Sequence, residues 1–109
     1  MRSFLTLITV MTLLPVSVFA QEFDTSTTYA EYCAACHGFD GSGMSADVPD
    51  FTDESNRLGK NDNALIKVIM EGVEQADGTI VMPAFGGADP FSREQSQQLL
   101  DFMRESFGS

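Results

Sequence analysis

Cys33 and Cys36 stand three positions apart and His37 follows the second directly, in the run Cys33-Ala34-Ala35-Cys36-His37. On a helix, residues i and i+3 project from neighbouring directions, so both thiols can be offered along one edge of a planar group. The next residue is then turned beneath that group, where an imidazole can meet a metal. Two thioethers to the vinyl groups of one haem, with the imidazole on the iron, is the chemistry this spacing serves. Three other chemistries compete with it. A thioredoxin-like C-x-x-C expects a βαβ pattern, and the chain carries none. A zinc site wants four ligands, whereas the chain holds only two Cys and one His. A structural disulfide is the ordinary reading of two cysteines in an exported protein, but it leaves His37 without a role.

The neighbouring residues extend the pattern. The segment from Tyr29 through Tyr32, Cys33, Cys36, His37, Gly38, Phe39, Asp40, Gly41 and Ser42 to Gly43 resembles the haem-binding segment of class I c-type cytochromes, the small monohaem bacterial kind. Met82-Pro83-Ala84-Phe85 is similar to the distal methionine loop of that family, and Gln95 to Arg104 to its last helix. The resemblance spans nearly all of the chain beyond residue 20. It implies an all-α, cytochrome c-like fold of three to four main helices around one covalently attached haem c, with methionine as the sixth iron ligand. It also implies that a proline at about this place, Pro49 in this chain, offers its carbonyl to the ligating imidazole and so fixes its tautomer.

The residues themselves narrow the choice of sixth ligand. His37 is the sole histidine, so a second imidazole from this chain is excluded, and Met/His ligation is the usual cytochrome c arrangement. Beyond residue 20 the methionines are Met44, Met70, Met82 and Met103. Met44 lies seven residues from His37 and has to double back across the ring almost at once. Met70 and Met103 fall in apolar-periodic helical segments, where methionine more often fills core. Met82 precedes Pro83, which keeps it extended and removes the next backbone donor. Met82 is therefore the expected ligand, with Met44 and Met70 as the alternatives.

Helices must position these groups. The first is expected from about Asp24–Thr28 to the Cys-His run, with Thr28 and Glu31 placed as a capping box. Gly38, Gly41 and Gly43 break the chain into a loop. Thr52 to Leu58 reads as a short helix closed by Gly59. Leu65, Ile66, Ile69, Met70 and Val73 have helical spacing from about Asp62, with Gly72 near the end. Ser92 and Gln95 form a capping box that opens a helix with Leu99, Leu100, Phe102 and Met103 inward. No sustained alternation argues for strands, so the expected domain is all α. Such a chain has little core of its own, and the haem faces supply the missing apolar surface. Tyr29, Tyr32, Phe39, Phe51, Phe85 and Phe102 are the aromatics expected to cover them.

The 109 residues suffice for one domain. Residues 1–20 read as a cleaved secretory signal: Arg2, an apolar run from Phe4 to Val18, and Val18-Phe19-Ala20 before the cut. The run is interrupted by Thr6, Thr9, Thr12 and Pro15 and is short for a ~30 Å hydrocarbon core, so no stable membrane insertion of the mature chain is expected. The mature domain is then 21–109, periplasmic or otherwise exported. Without Arg2, 5 basic residues face 16 acidic ones, a formal charge of −11. That charge excludes nucleic acid as an electrostatic partner and favours redox proteins with a basic docking patch; its other reading is solubility alone. Lys60, Lys67, Arg57, Arg93 and Arg104 are the candidate haem-propionate partners.

With both axial positions filled, substrate has no place on the iron, so the chain is expected to carry electrons and not to be an enzyme. The functional readings are a one-electron carrier between respiratory or dehydrogenase partners, the electron-accepting subunit of a specific exported dehydrogenase or oxidase, and, from another class, a gas-binding haem sensor.

Overall fold

A computed structural model describes residues 6–15, 23–53 and 57–108. Helix α1, Thr25–Tyr32, starts where Asp24 leaves extended geometry and accepts from the Thr27 amide at 3.0 Å. Asp24 is thus the cap, and the capping box expected of Thr28 and Glu31 is not formed: the Thr28 hydroxyl donates back to the Asp24 carbonyl instead. Cys33 closes α1, and the chain makes one more turn, α2 at Ala34–His37. This break matters for the site, because it turns Cys36 and His37 about a pivot at Cys33, whose carbonyl accepts from the amides of both.

Helix α3, Asp62–Glu71, is capped by Asn61 and buries Ile66 and Ile69. Helix α4, Arg93–Phe107, carries the expected Ser92–Gln95 capping box and buries Leu99, Leu100 and Met103, with Phe102 packed beside them. Capping here satisfies helix-end amides that otherwise lack partners. α3 and α4 pack together, and α1 lies against α4. The Arg104 guanidinium ties the α4 end to the segment before α3, donating to the carbonyls of Leu58 and Lys60 at 3.0 Å each and to the Asp62 carboxylate at 2.6 Å.

The all-α expectation needs one correction. A small antiparallel hairpin, β1 at Val73–Glu74 and β2 at Ile80–Met82, pairs Val73 with Met82 and Glu74 with Ile80. Strands this short leave no alternation to read, and the pairing is fixed by a tight turn in which Thr79 and Gln75 bond through the backbone. Of the helix expected over Thr52–Leu58, only the two ends are described. Thr52 sits in a turn, its amide and hydroxyl both donating to Asp50, a local bond that competes with helix geometry. Arg57–Gly59 is a 3₁₀ turn that buries Leu58, and the residues between lie outside the described ones.

Residues 6–15 have no regular structure and leave Leu7, Ile8, Val10, Met11, Leu13 and Leu14 exposed. The expected cleavage after Ala20 falls outside the described residues. No helix among the described residues is long and apolar enough to cross a membrane.

Candidate haem site

The short turn α2 carries His37 inward to 9% exposure. Its ring stacks on Phe51, with centroids 4.4 Å apart and planes 18° from parallel. Phe51 comes back to the histidine because the loop after Gly38 closes on itself, the Phe51 amide donating to the Gly41 carbonyl at 2.8 Å. On the other side Tyr29 donates its hydroxyl to the Gly38 carbonyl at 2.7 Å and so pins the residue that follows His37. The histidine is held by its surroundings on both sides, yet its Nδ1 is buried and meets no hydrogen-bond partner of good geometry among the described residues. Burial lowers the imidazole pKa, and the Pro49 carbonyl beside the ring opposes that shift.

Beside His37 opens an apolar cavity of about 590 Å³. Cys33, Cys36, His37, Pro49 and Met82, the site residues read from the sequence, all line it. Its other walls come from Leu65, Val68 and Ile69 of α3, Leu99, Leu100 and Met103 of α4, and Val81, Pro83 and Phe85 around β2. Of the alternative methionines, Met44 is 70% exposed and Met70 packs against the core; neither lines the cavity. Met103 does border it, from within the buried core of α4.

The thiols argue against dithiol redox chemistry. Reactive C-x-x-C cysteines have depressed pKa values, whereas burial, with a contribution from Cys36, pushes Cys33 up to about 11. A half-buried, protonated thiol beside an exposed Cys36, both lining an apolar cavity that the His37 ring also lines, is a donor set that fits a covalently tethered haem.

Three of the aromatics expected to cover haem are placed otherwise. Phe39 is 78% exposed. Tyr29 and Phe102 face each other and Phe107 on the far side of the helices, outside the cavity lining. Tyr32, Phe51 and Phe85 do line it. The stack of Phe51 on His37 had no signature in the sequence, since a loop closure brings the two rings together. Among the candidate cations, Arg104 is engaged with Asp62 and two carbonyls, Lys67 pairs with Glu71 at 3.8 Å, and Arg93 bonds Asn63. Among the described residues, Lys60 is the one basic side chain on the cavity wall; the Arg57 side chain lies outside them.

Residues 24–103 match the family model described as cytochrome c oxidase, cbb3-type, subunit III. The chain is 33% identical over 90 residues to the gluconate 2-dehydrogenase cytochrome c subunit of Pantoea cypripedii, covering 77% of this chain and 20% of that protein. It therefore spans about a fifth of that relative's length. Its fold is similar to that of the KustC0563 c-type cytochrome, with a TM-score of 0.58 at 23% identity, covering 75% of this chain and 95% of the other. The cysteine pair, the buried histidine, the helical frame and these matches lead to one assignment: the chain belongs to the c-type cytochromes, electron-carrying proteins whose cofactor is covalently bound haem c.

Proposed function

We propose that the cavity between α2, α3, α4 and the Met82 segment would hold haem c, tethered by Cys33 and Cys36, with His37 and Met82 as the residues that would ligate its iron. What supports this reading is that the Cys33–His37 run and the distant Met82 border one apolar space, while Met44 and Met70 do not and Met103, which does, is core of α4. When bound, haem c supplies a one-electron Fe(III)/Fe(II) couple.

The chain's own residues then have distinct tasks. Cys33 and Cys36 fix the haem edge at the α1–α2 break. Phe51 holds the plane of the His37 ring, and the Pro49 carbonyl beside the ring would accept from the nitrogen that does not meet the iron, raising ligand basicity. Met82 would supply the second iron ligand and so deny the iron to others. Leu99, Leu100 and Met103 keep water from the ring, and that low-dielectric wall favours the less charged, reduced state. Lys60 is the cation best placed for a propionate. The protein works as an exported carrier once residues 1–20 are removed, delivering electrons to partners with a basic docking patch.

The likeness to a dehydrogenase cytochrome subunit favours a second reading at the level of partners: the chain accepts electrons within one exported dehydrogenase assembly. Co-purification from the native host separates a bound subunit from a free carrier.

The ligand assignment is tested with Met82→Ala. The variant is expected to lose the near-infrared sulfur-to-iron band of the oxidised protein, to show a lower reduction potential and to bind carbon monoxide when ferrous; Met44→Ala is expected to change none of these. A normal band in Met82→Ala refutes the assignment.

A further inference from the structure

The methionine segment is held at both ends by glycines whose missing side chains leave no room for any other residue. Gly72 ends α3 at φ 74°, ψ −167°. A Cβ there would stand 2.3 Å from the Met82 carbonyl oxygen, 2.7 Å from the Ala84 nitrogen and 2.9 Å from the Pro83 carbonyl carbon. Gly86, at φ 64°, lies on the far side of the same segment, and a Cβ there would stand 2.7 Å from the Tyr32 carbonyl oxygen. All these separations are closer than non-bonded carbon tolerates. Between the two glycines runs Met82-Pro83-Ala84-Phe85. Phe85 itself holds a left-handed conformation at φ 56°, uncommon for a bulky residue, with its ring edge-on to Phe91 at 4.8 Å.

From these contacts we infer that Gly72 and Gly86 are positioning residues for the proposed methionine ligand: they seat the methionine segment on the end of α3 and on the end of α1, and so fix where Met82 would be offered to the haem iron. The inference rests on Met82 as ligand. The second contact has a particular consequence, because Tyr32 precedes Cys33. The segment that brings the methionine is packed directly on the backbone next to the residue that tethers the haem. A clash at Gly72 cannot be taken up at Pro83, whose ring fixes φ, so it passes to Met82. A clash at Gly86 cannot be taken up by Tyr32, which continues into the covalent attachment, so it lifts the segment.

The same loop and the hairpin contain the controls. Gly87, at φ 91°, has nothing within 4 Å of a built Cβ, and the nearest atom to one at Gly78, φ 89°, is Glu74 Oε1 at 3.9 Å. Alanine at these positions brings left-handed strain without collision. Haem-loaded Gly72→Ala, Gly86→Ala, Gly87→Ala, Gly78→Ala and Met82→Ala proteins are compared by near-infrared absorption, carbon monoxide binding and helical circular dichroism. The expected result is loss of the sulfur-to-iron band and gain of carbon monoxide binding in Gly72→Ala and Gly86→Ala, with helix content kept. Gly87→Ala and Gly78→Ala are expected to retain the band. If Met82→Ala keeps the band, the ligand reading itself is wrong. If Met82→Ala loses it while Gly72→Ala and Gly86→Ala keep it, the positioning role is overturned. Equal loss in Gly87→Ala, or failure of both crowded variants to fold and load haem, also overturns it, since the glycines then serve backbone strain or the fold as a whole.

Discussion

Removing both thioethers tests how far the fold depends on its cofactor. In Cys33→Ser/Cys36→Ser the tether is lost, and with it the means of keeping haem in the cavity. The buried apolar residues are few: Tyr29, Ala34, Leu58, Ile66, Ile69, Leu99, Leu100 and Met103. Of these, Leu58, Ile69, Leu99, Leu100 and Met103 border the cavity, so most of the core faces the space proposed for the haem on one side. Empty, enclosed cavities cost about 24 cal/mol per Å³, which over about 590 Å³ comes to about 14 kcal/mol. This cavity is open enough for water to enter, so that figure is an upper bound on the cost of leaving it without haem. A domain of this size has a total stability of about 5–15 kcal/mol. The two quantities are of the same order, so the apoprotein is expected to have no cooperative thermal transition and to lose its near-ultraviolet dichroism, with helical signal much reduced. Circular dichroism against temperature on the purified double variant is the assay. A sharp transition with the helical signal of the holoprotein would refute the reasoning, and would mean that α3 and α4 hold one another without the haem.

The remaining predictions concern charge and processing. At low to moderate salt, electron transfer to a basic redox partner is expected to slow steeply as ionic strength rises; steering contributes roughly 10 to 1,000-fold and fades as the Debye length shortens to ~8 Å. A flat profile in stopped-flow measurements with the physiological partner would assign the acidity to solubility alone. Hydrogen bonds from Arg104 and then Gln97 hold the Asp62 carboxyl below its ordinary value of 3.8. A depressed folded pKa stabilises above the unfolded value and loses that contribution as pH falls through the folded one. The thermal midpoint of the holoprotein is therefore expected to fall more steeply below about pH 3.8 than that of Asp62→Asn; parallel acid limbs would show that the Arg104 bridge does not contribute. Intact mass and N-terminal sequencing of protein from the native host are expected to give a chain beginning at Gln21, and a chain retaining residues 1–20 would contradict the export reading.

The sequence by itself determined the chemistry of the site. Two thiols three apart with an adjacent imidazole have one use that accounts for all three groups, and a single histidine excludes a second imidazole from this chain. It also determined the helices whose signals are local: the Ser92–Gln95 box and the apolar spacing of α3 and α4 lie within a few residues of what they control. Tertiary structure decided what depends on residues far apart in the chain. Which methionines reach the cavity is settled by where α3, α4 and the hairpin run. The Phe51 stack on His37 needs the closure of the 41–51 loop, and Tyr29 faces away from the cavity because its hydroxyl finds the Gly38 carbonyl. The tightness of Gly72 and Gly86 is invisible in a sequence, where a glycine reads only as a turn. Its physical reason is that close approach is a relation between two backbones, and only the folded chain brings the second one near.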